Sequence, residues 1–136
     1  MYLLDTMILS ELRKRQRDAR LVAWLKATRP VDLYLSVVTI GEVEKGIAKQ
    51  RRLDPAFASR LAVWLDATLR HYEGRIVPVD IAVARRWGQL ADAHSNAGAD
   101  LLIAATALEH GLTVVTRNIR HFAGTGVPLF DPSQDA

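Results

Sequence analysis

The chain has 136 residues, 49% of them hydrophobic and 24% charged, with a net charge of +3, which suits one globular domain with its own core and argues against disorder. It has no cysteine, so disulfides, thiolate zinc sites and cysteine nucleophiles are excluded. No apolar run approaches the ~18 residues that span a membrane, and the N-terminus lacks a signal peptide's basic start and apolar stretch, so the cytoplasm is the expected compartment.

"YLLD" reads as a short buried strand, and "SELRKRQ" continues as a helix. "ARLVAWLKATRP" sets Leu21, Trp24, Leu25 and Thr28 at helical spacing and ends before Pro30. "DLYLSVV" predicts a second strand and "TIGEVEKGIAKQRR" a second helix with a basic end. In "DPAFASRLAVWLDATLRHYEG", Asp54 is a cap and Pro55 opens the helix. Phe57, Leu61, Trp64, Leu65, Thr68 and Tyr72 line one face, and Gly74 closes it. "RIVPV" is a short strand, and "DIAVARRWGQLADAHSN" a helix with Val83, Trp87, Leu90 and Ala91 inward. "DLLIAATALEHG" is a closely packed small-residue helix ending at Gly111, "LTVVT" a buried strand, and "VPLF" a last short one.

Strands alternating with single helices or helix pairs predict a parallel-sheet α/β/α sandwich, a single domain over residues 1–132 with a tail at 133–136. Ligands of such sheets gather outside the carboxyl ends of the strands. Asp5 follows the first strand, Glu42 lies one turn into the helix after the second, and Asp100 opens the helix before "LTVVT". Each has an ordinary use. Asp5 can cap the helix near Met7, Thr39 and Glu42 have capping-box spacing, and Asp100 can cap at Leu101.

Capping does not explain why all three would meet at one sheet edge. Two carboxylates ~4 Å apart repel by ~4 kcal/mol at an effective dielectric of 20, so such a group must bind a proton or a cation. Oxygen ligands without histidine or cysteine suit Mg²⁺, with Mn²⁺ as a substitute. The first 53 residues carry eleven Lys/Arg against six Asp/Glu, the rest seven against nine. Arg13, Lys14, Arg15, Arg17 and Arg20 form one basic cluster; Lys45, Lys49, Arg51 and Arg52 form another. Such clusters are solvated helix faces or docking places for phosphate backbones and acidic partners. Carboxylate-held Mg²⁺ in a basic protein is equipment for phosphodiester cleavage.

"YLLDT", "TIGEVEKG", "ADLLIAATALEHGLTVVTRN" and the trailing "HF" resemble the PIN-domain family, specifically VapC-like toxins of bacterial toxin–antitoxin pairs, from Met1 to about Pro132. The resemblance implies a Mg²⁺-dependent endoribonuclease that cuts structured RNA, is inhibited by a cognate antitoxin and forms a homodimer. It makes Asp5, Glu42 and Asp100 the catalytic and metal-binding acids, and Thr6 a hydroxyl that orders the site.

The chain departs from the family pattern in two ways. Met7 stands where an Asn is common, and "TRNIRHF" has Asn118 and His121 where a fourth acid is often found. Asn118 can still offer an amide oxygen, and His121 either contacts phosphate or covers the loop. Thr116 can hydrogen-bond Asp100 or a metal-bound water. Glu11 reads as a surface residue with Arg117 as a possible partner. Arg117 binds either substrate phosphate or a site acid. With Arg13, Lys14, Lys45 and Lys49 it forms the expected rim for RNA or antitoxin. The missing acid also motivates a rival, a PIN-like module that binds RNA or antitoxin without turnover. No second Asp follows "LLDT" as in haloacid-dehalogenase-type phosphatases, and no "GxxxxGK" is present for triphosphate hydrolysis.

Overall fold

The computed structural model describes residues 1–94 and 98–134. The strands are β1 (Tyr2–Leu4), β2 (Leu33–Ser36), β3 (Ile76–Val77), β4 (Thr113–Val115) and β5 (Leu129–Phe130). They form one sheet in the order β3-β2-β1-β4-β5, and every pairing is parallel. The helices are α1 (Thr6–Leu12), α2 (Ala19–Ala27), α3 (Val37–Leu53), α4 (Pro55–His71), α5 (Ile81–Ala93) and α6 (Ala99–His110).

Successive strand residues point to opposite faces, and the core divides accordingly. Leu3 and Val114 pack with Ile103, Ala104, Ala107 and Phe122 on one side. Leu4 and Val115 pack with Ile8, Leu9, Leu21 and Leu35 on the other. Both faces are covered, which is why β1 and β4 read as unbroken apolar runs. The expected α/β/α sandwich is the observed fold. Ala104, Ala105 and Ala107 of α6 are fully buried, as a small-residue helix allows. Gly111 takes the left-handed conformation (φ 65°) that ends it. Among the described residues no helix is long and apolar enough to cross a membrane.

Several boundaries differ from expectation, among them the strands β3 and β5, each only two residues long. α1 stops at Leu12, leaving Arg13 to Arg17 outside a helix. Arg13 and Arg17 would stand at like-charged i,i+4 positions, and Asp18 starts α2 by accepting from the amides of Arg20 and Leu21. β2 ends at Ser36, so Val37 and Val38 open α3; the Ser36 side chain accepts from the Val38 amide at 3.0 Å, and this cap outweighs valine's strand preference. The helix expected through Asn96 is observed to Ala93; Ser95 and Asn96 lie outside the described residues.

α3 and α4, each 17 residues, form a hairpin. Asp54 alone joins them, as C-cap of the first and side-chain N-cap of the second.

Candidate active site

Asp5 leaves the central strand of the sheet. Its amide donates to the carbonyl of Val115 at 3.1 Å, extending the β1–β4 ladder, and Oδ1 accepts from the amide of Ile8 at 2.8 Å. Asp5 is therefore a helix cap, but capping uses only part of it. Its residue is 4% exposed. Burial pushes its carboxyl above the ordinary aspartate range against hydrogen bonds from Thr116 and the Ile8 amide, and the charges of Asp100 and Glu42 push it further up. The three acids thus share one electrostatic environment.

Glu42 reaches that environment without a capping box. Ser36 caps α3, so Thr39 lies inside the helix and is fully buried. Thr6 Oγ1 stands 2.6 Å from Glu42 Oε1 and 3.1 Å from Thr39 Oγ1. A hydroxyl has one proton; the shorter contact takes it, and Thr39 donates to Thr6. This bond ties Thr6, expected to order the site, to Glu42.

Asp100 does not cap α6 either. Gly98 is the cap and makes no side-chain bond, while Asp100 sits in the first turn, where the helix dipole favours an anion. Its Oδ2 lies 3.0 Å from His121 Nδ1, so His121 neither points at an expected phosphate alone nor merely covers the loop. Thr116 serves Asp5, not Asp100. The Asn118 amide donates to Thr116 Oγ1 at 2.9 Å, which leaves the Thr116 proton free for the Asp5 carboxylate. Asn118 thus acts on the site through its backbone.

The basic residues do not converge as one group. Lys14 and Arg117 both pair with Glu11, at 2.9 and 3.3 Å. Glu11 is only 7% exposed, which corrects its reading as a surface residue. The Lys14 hydrogen bond and the charges of Lys14 and Arg117 hold its carboxyl below the ordinary glutamate range, against desolvation. Arg13 lies over the Phe57 ring at 5.3 Å, and Lys45 and Lys49 are exposed on α3. The Glu11–Arg117 pairing was one of the expected alternatives; the His121–Asp100 contact and the part of Thr39 were missed, and only the i,i+3 spacing of Thr39 and Glu42 hinted that these two share a face.

Two openings flank the acids. A cavity of about 290 Å³ lies between His94, Asp100, Arg120 and His121. A groove of about 200 Å³ begins at Thr6 and Glu42 and runs to Trp64. Among the described residues no three acidic or histidine side chains are close enough together to hold a metal ion between them. Asp5 is buried, whereas Glu42 is exposed and Asp100 partly so; carboxylate oxygens open to solvent on one side suit an ion that keeps most of its own water, as Mg²⁺ does.

The chain matches the family model of the PIN domain over residues 2–126. It is 37% identical to Toxin FitB of Neisseria gonorrhoeae over 99% of this chain and all of that one. It is 34% identical to VapC ribonuclease Y4jK of Sinorhizobium fredii over the whole of both. The crystal structure of FitAcB from Neisseria gonorrhoeae superposes with a TM-score of 0.86 at 38% identity, covering 97% of this chain and 98% of that one. A shared fold, a match along nearly the whole chain and acids at the carboxyl edge of the sheet agree: the chain belongs to the PIN-domain family.

Proposed function

We propose that this protein is a Mg²⁺-dependent endoribonuclease toxin that hydrolyses RNA phosphodiester bonds and is neutralised by a cognate antitoxin. The observation that carries the reading is Asp5, a buried carboxylate pressed by the charges of Asp100 and Glu42 and oriented by Thr116 and the Ile8 amide. Full-length relatives named as a toxin and as a VapC ribonuclease support the reaction class, and similar structures of a toxin–antitoxin complex and a toxin–antitoxin system support the partner.

In this reading Asp5, Glu42 and Asp100 hold the cation. When bound, it supplies an acidified water and neutralises charge on the phosphate oxygens. Thr6 keeps Glu42 directed at the site, and Thr116, fixed by the Asn118 amide, does the same for Asp5. Arg13, Lys14, Lys45, Lys49 and Arg117 draw the RNA backbone to the rim. A site carboxylate or bulk hydroxide takes the released proton. A homodimer joining two basic grooves completes the proposal.

Cleavage of a structured RNA should require added Mg²⁺ or Mn²⁺, stop with EDTA and be lost in Asp100→Asn. Cleavage unchanged by EDTA overturns the reading. A second reading has its own observation: Asp100 is engaged by His121, and Asn118 supplies no fourth negative charge. It makes the chain a binding module, which would hold RNA at saturating Mg²⁺ or Mn²⁺ without turning it over.

A further inference from the structure

The groove that starts at Thr6 and Glu42 lies between α1, α3 and α4. Phe57 and Trp64 give it apolar walls, while Arg13 and Gln50 give it polar ones. Glu42, Gly46 and Gln50 follow at intervals of four along α3 and so share one face. Gly46, in the middle of that row, is the exception to helix preference, because only proline is a poorer helix former. No close packing requires it: a Cβ added at Gly46 meets no atom within 4 Å. The missing side chain relieves no clash and leaves the groove open.

The wall is also charged in a specific way. Two guanidiniums approach the Phe57 ring, Arg13 at 5.3 Å and Arg60 at 5.6 Å. Cations held against an aromatic ring, an amide that both donates and accepts, and an apolar wall in a volume of about 200 Å³ match the parts of a nucleotide. An apolar peptide side chain would leave Gln50 and Arg13 unused.

We propose that this groove is a nucleobase subsite, seating the nucleotide adjacent to the phosphate engaged by the acids. The assignment rests on the ribonuclease reading for its placement beside the scissile bond. The base lies against the aromatic wall, Gln50 reads its edge and Arg13 meets its phosphate. The subsite shares Glu42 with the acid site, so a seated base is in register with the centre.

The test uses the full chain in EDTA, where no turnover occurs, titrated with each of the four nucleoside 5′-monophosphates. The backbone amide of Gly46 and the side-chain amide of Gln50 are followed by NMR. At least one nucleotide should give saturable shifts at both, which inorganic phosphate does not reproduce. Gly46→Leu, which fills the groove, should weaken that binding at least about fivefold, the low end of one base-stacking contact, with a melting temperature no lower than wild type. If that variant does not fold, Gln50→Ala carries the same comparison at the groove edge.

Unmoved Gly46 and Gln50 amides, phosphate alone giving the same shifts, or unchanged nucleotide binding in Gly46→Leu would each overturn the subsite. So would a Gly46→Leu protein that loses the antitoxin and keeps the nucleotide, since the groove would then belong to the protein partner. Because the titration contains chelator, its result is separate from that of the cleavage assay. Nucleotide binding here with no RNA turnover there would sink the nuclease and leave the subsite.

Discussion

Thr6 and Glu42, 36 residues apart in the chain, meet through a 2.6 Å hydrogen bond between Oγ1 and Oε1. The bond ties the first turn of α1 to the second turn of α3, and so ties the residue after Asp5 to a second acid. Thr6→Val keeps the side-chain shape and removes the donor. Outer partners of metal ligands typically contribute about 10–100-fold, and a loss of about tenfold in kcat is expected here. Stability should fall by about 1–3 kcal/mol, because water replaces the donor at exposed Glu42 but the fully buried Thr39 hydroxyl loses its acceptor. Thr6→Ser should restore the rate. Wild-type kcat in Thr6→Val would remove Thr6 from the site.

Asp5 should cost stability at neutral pH. Its folded carboxyl sits above its unfolded value, so the native state binds the proton more tightly. Stability is then greatest below the ordinary aspartate range and falls as pH rises through the folded pKa. Asp5→Asn retains an oxygen for the Ile8 amide and loses the charge. It should raise the melting temperature at pH 7 by roughly 3 °C while abolishing cleavage, and its stability should lack the wild type's decline in that window. A lower melting temperature at pH 7 would show that the charge is fully compensated.

Cation binding can be read without RNA. At 100 times its Kd a bound ion adds about 2.7 kcal/mol to stability, which corresponds to roughly 9 °C in a chain of this size. Saturating Mg²⁺ or Mn²⁺ should raise the melting temperature of the wild type and leave Asp100→Asn unmoved. No shift in the wild type would leave Asp5 as a helix cap and Asp100 as a partner for His121.

Glu11 has the opposite sign from Asp5. Its carboxyl is held below the ordinary glutamate range, chiefly by Lys14, so its contribution is present above that range and lost as pH falls through the folded pKa. Glu11→Gln should be less stable than wild type at pH 7, with the gap closing in acid and narrowing in high salt. Chemical denaturation at three pH values checks this. A gap that is constant with pH would mean that packing, not charge, is what Glu11 provides.

The parallel sandwich was legible because β1 and β4 are apolar on both faces, and because strand and helix patterns alternate. Asp5 and Asp100 were legible as acids at the strand ends that such a sheet uses. Glu42 was found beside a mistaken local cause: Thr39 has cap spacing, but Ser36 at the end of β2 starts the helix first. Val37 and Val38 look like strand residues until that cap takes them. Arg117–Glu11 was legible only as one alternative and His121–Asp100 not at all, since each joins separate elements and depends on how loops lie once the sheet has formed.

The central position of β1 has a consequence for synthesis. It is made well before β4, yet that neighbour and the hydroxyl that orients Asp5 come from Thr113 to Thr116. At ~5–20 residues per second, the stretch between them takes on the order of ten seconds to translate. Until then a nascent chain carries Asp5 and Glu42 without the sheet that brings them to Asp100. Fragments cut short by a stop codon, a stalled ribosome or a protease before β4 lack the same strand and hydroxyl. The three acids therefore come together only once the segment from Asp100 to Thr116 has been made.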